Sequence, residues 1–332
     1  MTDLERPLER LLNEHDHERT RSETARHLGD RQSRAQRDRP DQDDDGDSGQ
    51  RERRFVPAEV SVDAVGGTNA FVQQRVRAER ADSRRKEPHR HAESVALRVV
   101  RNPADILTDP PPPAADERIV YGPEPLQFAD VRNADGETLA LVLHGGSWKA
   151  TYNLTHLAHL CILLGENGVP TLNVEYRRVG DPGGGWPGSL HDVLLAVQRA
   201  QTLAQRLVLV GHSAGGHLAL LAAKRTGIPV VALAAVCDPP TWENDAVAAF
   251  FARESPTPEA SPLAQAPAGV RTIVIHGTAD DVVPFEQSQR YAQAAGDEAT
   301  LRPLGGARHF EPIDPQSSEV RVTLDAVREL VG

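Results

Sequence analysis

The sequence predicts an α/β fold, a mostly parallel, doubly wound sheet with helices on both faces, occupying roughly the last two-thirds of a 332-residue chain. Three observations lead there. Short apolar runs alternate with helical patterns after about residue 115, glycine-rich turns stand at the ends of several of these runs, and the preceding hundred residues have a wholly different composition.

That leading stretch comes first. From Met1 to Arg90 there are 19 Lys and Arg against 20 Asp and Glu, with few apolar clusters, so ordering it would bury too little to offset the lost chain entropy. Residues 1–114 are therefore expected to be a disordered, charged extension ending in a Pro-rich linker, Asp109-Pro110-Pro111-Pro112-Pro113, and residues 115–332 the folded domain. The segment Val56–Gln74 is moderately apolar and has no assigned task. An overextended translation start is one reading of such an extension, and a chain beginning near Ala115 is expected to keep full activity.

Charge and cysteine content narrow the partners. After Arg90 the balance is 18 basic to 28 acidic residues, which repels a phosphate backbone and argues against nucleic acid. No apolar N-terminal core region and no run near ~18 apolar residues is present, so neither a signal peptide nor a membrane span is predicted and a cytoplasmic protein is expected. Cys161 and Cys237 sit in apolar surroundings, as buried free thiols do, and imply no disulfide. Oligomeric state is not legible.

In chain order, Arg118–Tyr121 and Gln127–Arg132 read as edge strands, and the turn at Asp135-Gly136 signals a hairpin into the next strand. Leu139–Leu143, Thr171–Val174, Leu207–Val210, Val230–Val236 and Thr272–Ile275 are short and rich in Leu or β-branched residues, as parallel strands buried on both faces are. Helical patterns fall at Leu154–Leu164, Ser189–Ala204, Ala214–Lys224, Glu286–Ala295 and Ser318–Val331. Pro239–Ala268, with Trp242, Phe250 and Phe251, reads as a small cap insertion.

Four motifs carry chemistry. Gly211-His212-Ser213-Ala214-Gly215-Gly216 joins a buried strand to a helix, a turn so sharp that Ser213 is forced into a strained conformation with its hydroxyl exposed as a nucleophile. His144-Gly145-Gly146-Ser147-Trp148 also follows a strand, and Gly146, Ser147 and Ala214 are the candidate oxyanion donors, each worth ~3 to 4 kcal/mol to a transition state. After Thr272–Ile275 come Asp280 and Asp281; both are candidate acids, and Asp280 is preferred because it comes first. His309, in Gly305-Gly306-Ala307-Arg308-His309-Phe310, is the sole histidine after Asp280 and so the candidate base in the order Ser, Asp, His.

Other residues receive milder readings. His276 is expected to be structural, and His191-Asp192 to tie its helix to a neighbouring loop. His156 and His159 lack a third ligand at metal spacing, so no metal is expected. Trp148, Trp186 and Trp242 border the site and are candidate walls of a substrate pocket, with core packing the competing role.

Together these motifs resemble the α/β-hydrolase family. The set His144–Trp148, Gly211–Leu218, His276-Gly277 with Asp280 and Val283-Pro284, and His309-Phe310 is most similar to its small bacterial esterases, of feruloyl/acetyl-xylan-esterase-like and kynurenine-formamidase-like type, over about Glu117–Gly332. The resemblance implies hydrolysis of a small-molecule ester or arylformamide through an acyl-enzyme on Ser213, with no metal or organic cofactor. Hormone-sensitive-lipase-like esterases differ, carrying a third glycine where Ser147 stands and an aspartate where His212 stands. An aminopeptidase-like amide hydrolase and a catalytically silent small-molecule receptor of the same fold are the alternatives; an aspartate nucleophile, as in dehalogenases, is excluded by Ser213.

Overall fold

Strands β3 (Thr138–Leu143), β5 (Arg206–His212), β6 (Val230–Leu233) and β7 (Thr272–Gly277) form the parallel centre of the domain. The computed structural model describes residues 110–133 and 136–332, so the expectation for the leading extension lies, apart from its last few residues, outside the described residues. Around that centre are β1 (Glu117–Val120), β2 (Phe128–Arg132), β4 (Thr171–Val174) and β8 (Ala299–Leu304), giving an eight-stranded sheet in the order β1-β2-β4-β3-β5-β6-β7-β8. Only β2 runs against the rest, since β1 pairs with it in antiparallel register and so points the same way as β4 and the central strands.

The expected hairpin from β2 into β3 does not form. Instead β2 pairs with β4 in antiparallel register, and β4 lies between β2 and β3. The Asp135-Gly136 turn itself falls partly outside the described residues, and the neighbour of each strand is set by the crossover that brings β4 back beside β3. For the same reason β2 is not an edge strand. Strand β8 had no counterpart in the apolar pattern: it is a true edge, half-exposed and interrupted by Pro303.

Each central strand is apolar on both faces, and the period-two alternation sorts its side chains into two cores. Ala140, Val142, Val208, Val210, Val231, Leu233, Ile273 and Ile275 pack on helices α1 (Ala158–Glu166) and α6 (Val320–Val331). Their alternates, including Leu139, Leu141, Leu143, Leu209, Val230, Ala232 and Val274, pack on α2 (Gly188–Gln201) and α3 (Ala214–Thr226), with Tyr291 of α5 (Phe285–Ala295) in the same core. Cys161 belongs to the first core and Cys237 to the second; burial pushes both thiols up to about 12.

Between β6 and β7 the 239–268 segment folds as single 3-10 turns and one short helix, α4 (Asp245–Phe250), started by Asn244, whose Oδ1 accepts from the N–H groups of Ala246 and Val247. No described helix is long and apolar enough to cross a membrane.

Candidate active site

The site is built at the carboxyl ends of β3, β5 and β7. At the end of β5 the chain turns straight into α3, and Ser213 takes φ 55° and ψ −118°, a backbone conformation that L residues avoid. Neighbouring glycines make that turn possible. A Cβ on Gly211 would lie 2.3 Å from the Gly215 carbonyl oxygen, and one on Gly215 would lie 2.1 Å from that of Leu143. Helix α3 thus starts in contact with the end of β3, and Ala214 N–H, in its first turn, has no carbonyl one turn earlier to accept it.

The loop after β3 lies against this elbow. Gly145 is so close that a Cβ there would sit 3.1 Å from Ser213 Cβ, and Gly146, Ser147 and Trp148 follow with φ of 103°, 54° and 55°. This run of left-handed residues takes the backbone out of strand geometry beside Ser213, and only Gly146 does so without steric cost. Lys149 N–H to Gly146 O and Val179 N–H to Trp148 O, at 3.0 and 2.8 Å, hold the loop closed.

Past the end of β7 stands the candidate acid, Asp280. Asp280 is hydrogen bonded to His309 Nδ1 at 2.7 Å and to His276 Nε2 at 2.9 Å, both through Oδ2, while Oδ1 accepts from the N–H groups of Val282 and Val283. Burial alone would raise its pKa; the donors from His276 and His309 outweigh it and hold the carboxyl far below the usual range. Asp281, by contrast, is exposed and paired with Arg308. The His309 loop reaches this position because Gly277 has no side chain: a Cβ would lie 2.3 Å from Ala307 O and 2.5 Å from Arg308 O. His309 is itself tied to the elbow, its carbonyl oxygen lying 3.0 Å from His212 Nε2.

Comparison with known proteins points to the same fold. Residues 140–268 match the model of the alpha/beta hydrolase family. The chain has an α/β-hydrolase fold. Esterase LipC of Mycobacterium tuberculosis is 24% identical, over 60% of this chain and 63% of that one, so the chain spans less than two-thirds of this relative's length. Among solved structures, esterase B of Lactobacillus rhamnosis is similar with a TM-score of 0.56 at 18% identity, covering 69% of this chain and 89% of that one. Thermogutta terrifontis Est2, a thermophilic esterase, gives 0.54 at 21%, covering 66% and 92%. A bifunctional GH43-CE protein of Bacteroides eggerthii gives 0.54 at 20%, covering 66% of this chain and 36% of that one. At these identities the structures speak for the fold.

Within this fold the three tryptophans take different places. Trp148 is fully buried, stacked on Phe250 of α4 at 4.5 Å and edge-on to His217 at 5.3 Å, so it packs beneath the cap. Trp186 and Trp242 are partly exposed against the same core, Trp186 touching Phe250 and Phe251. His217 Nε2 donates to Ala260 O at 2.8 Å, a second tie between α3 and the cap, and burial pushes that imidazole down to about 4.

Two buried charge networks brace the site, and reading the sequence singled out neither in full. Glu175, just past β4, accepts from His144 Nε2 at 3.0 Å, from Leu154 N–H and from Arg178, and the stacked Tyr176 ring gives its hydroxyl proton to His144 O. Burial would raise the Glu175 pKa, but His144 and Arg178 bring it below the ordinary value. His144 at the root of the glycine loop is thereby fixed. Asp192, fully buried in α2, accepts from Gln127 and from the backbone and guanidinium of Arg177, the tie expected of the His191-Asp192 pair. His159 bonds to Pro110 O, and His156 to His212. A histidine at or near the end of each of β3, β5 and β7 (His144, His212, His276) was the available signal, since a buried imidazole needs polar partners brought from other parts of the chain.

Proposed function

We propose that this domain hydrolyses carboxylic esters of small substrates through an acyl-enzyme on Ser213. The observation that carries the reading is the Ser213 elbow, strained and packed against the glycine loop on one side, with the Asp280–His309 pair tied to it through His212 on the other. Similarity to proteins named as esterases points the same way.

In this mechanism Ser213 Oγ attacks the acyl carbonyl while His309 Nε2 takes its proton. Asp280 holds Nδ1 protonated and stabilises the imidazolium without becoming protonated itself. The tetrahedral oxyanion is received by the backbone N–H groups of Gly146, Ser147 and Ala214. Collapse expels the alcohol, which leaves with the proton from Nε2; water then repeats both steps on the acyl-enzyme and frees the acid and Ser213. Among the described residues no hydrogen bond yet joins the Ser213 hydroxyl to His309, a contact that commonly tightens only when substrate is bound.

Labelling with a fluorophosphonate and turnover of p-nitrophenyl acetate test this. Ser213→Ala is expected to abolish labelling and lower turnover by on the order of 10⁶. Labelling at another residue, or unchanged turnover, overturns the assignment. An arylformamide and an aminoacyl amide assayed beside the ester decide between ester hydrolysis and the amide chemistries.

A further inference from the structure

His212 precedes the nucleophile and is fully buried, yet all three loops of the site meet at its ring. Its Nε2 lies 3.0 Å from the carbonyl oxygen of His309. On its other side is Gly145 of the glycine loop, where a Cβ would come within 2.9 Å of His212 Nδ1. That same Nδ1 is 3.2 Å from His156 Nε2, and the two rings stack with centroids 5.2 Å apart. Phe310 covers both, at 5.7 Å from His212 and 5.9 Å from His156.

These contacts fix the protons. A carbonyl oxygen only accepts, so His212 Nε2 must carry a hydrogen. Burial opposes a second proton on either ring: it holds the His212 pKa well below the ordinary value, with His309 and His156 acting in the same direction, and pushes His156 down to about 3, with His144 and His309 adding to it. A neutral His212 therefore presents a bare Nδ1, which takes its hydrogen from His156 Nε2. His156 Nδ1 is left bare and buried, with no hydrogen-bond partner among the described residues. An unpartnered lone pair of this kind costs stability, which a merely space-filling ring would not require.

We infer that His156 and His212 are positioning residues: a one-way relay of two neutral imidazoles, His156 to His212 to the His309 carbonyl, that holds the base loop in register with Ser213 and the glycine loop. The inference rests on reading His309 as the base. It also accounts for the imidazole before Ser213, since a carboxylate there would offer the His309 carbonyl no donor. The glutamine amide can place a donor near the imidazole Nε2, whereas leucine fills the space and donates nothing.

Imidazole ¹⁵N resonances of the unaltered full-length protein at pH 7 are the first test, and both His156 and His212 are expected to be neutral with the proton on Nε2. A charged His212, or one protonated on Nδ1 alone, overturns the relay without any variant having to fold. In folded variants, His212→Leu is expected to lower kcat on p-nitrophenyl acetate by about 100-fold with KM nearly unchanged, the cost of a displaced base. The low-field proton of His309 Nδ1, donated to Asp280, is expected to shift or broaden in the same variant. His212→Gln is expected to recover most of kcat and the resonance, and His156→Leu to show a smaller loss of both. Wild-type kcat and an unmoved low-field signal in His212→Leu would sink the proposal. If Ser213→Ala still abolishes labelling and turnover in that case, only the relay fails; if Ser213→Ala stays active, the triad itself has failed.

Discussion

Asp280 shows how much one buried carboxylate can organise. Four donors converge on its two oxygens, two imidazoles on Oδ2 and two backbone N–H groups on Oδ1, so every lone pair faces a hydrogen. The His276 proton assignment follows: Nε2 faces only acceptors, Asp280 and Val283 O, so it donates, and Nδ1 accepts from Ser288 Oγ at 2.6 Å. An asparagine at 280 must turn its NH₂ toward one of these donors. Asp280→Asn is expected to lower kcat by about 10⁴-fold, measured on p-nitrophenyl acetate, with the chain still folded. The depressed Asp280 pKa also gives an acid dependence with a definite sign. A carboxyl whose folded pKa lies below its unfolded one contributes stability at neutral pH and loses it as pH falls below the ordinary carboxylate range toward the folded value. Melting temperature is therefore expected to fall below about pH 4, and to fall less steeply in Asp280→Asn. Glu175 is the corresponding anchor behind the glycine loop: Glu175→Leu takes the carboxylate from His144, leaves Arg178 its ion pair with Asp181, and is expected to cost about 3 kcal/mol in urea unfolding.

At the scale of elements, the site depends on strands ending where backbone can meet backbone. The β5–α3 elbow, the loop after β3 and the loop carrying His309 approach one another at Gly211, Gly215, Gly145 and Gly277, each of which a methyl group would push apart. Gly277 is the informative one because it lies away from the Ser213 elbow. In Gly277→Ala the new methyl meets two carbonyl oxygens of the 307–308 backbone, and that loop must shift with His309 on it. A loss of about 100-fold in kcat, with fluorophosphonate still reacting at Ser213 but more slowly, is expected; unchanged kinetics would show that the loop position is set elsewhere. The elbow and the glycine loop were legible in the sequence because local sterics dictate them: glycine spacing after an apolar run is itself the physical requirement. Strand β8 was not, since a half-exposed edge with Pro303 needs no apolar periodicity and owes its existence to pairing with β7 alone. Nor was the His212–His309 bond, whose partners lie 97 residues apart.

The whole domain is a sheet closed by helices on both sides, with the two cores meeting only through the strands that separate them. The cap belongs to one of these cores, bound by Phe250, Phe251 and Ala260, so it is anchored beside the site on the α2 and α3 side. Both cores lie within residues 119–327, and the described residues 110–114 meet the domain through exposed bonds outside those cores, from His159 to Pro110 and from Arg132 to Pro113 and Ala114. Removing residues 1–114 is therefore expected to leave specific activity unchanged and to change unfolding free energy by no more than about 0.5 kcal/mol; an inactive or insoluble product would assign the extension a role in folding.

The sequence by itself determined the alternation of elements, the two-faced burial of the central strands and the three loops at whose tips Ser213, Asp280 and His309 stand, because periodicity and glycine placement act over a few residues. Tertiary structure alone decided that β4 separates β2 from β3, that Trp148 packs inside, and which acceptor each buried imidazole finds. Those outcomes depend on what a distant part of the chain brings to within 3 Å, and hydrogen bonding between such parts leaves no periodic trace in the chain.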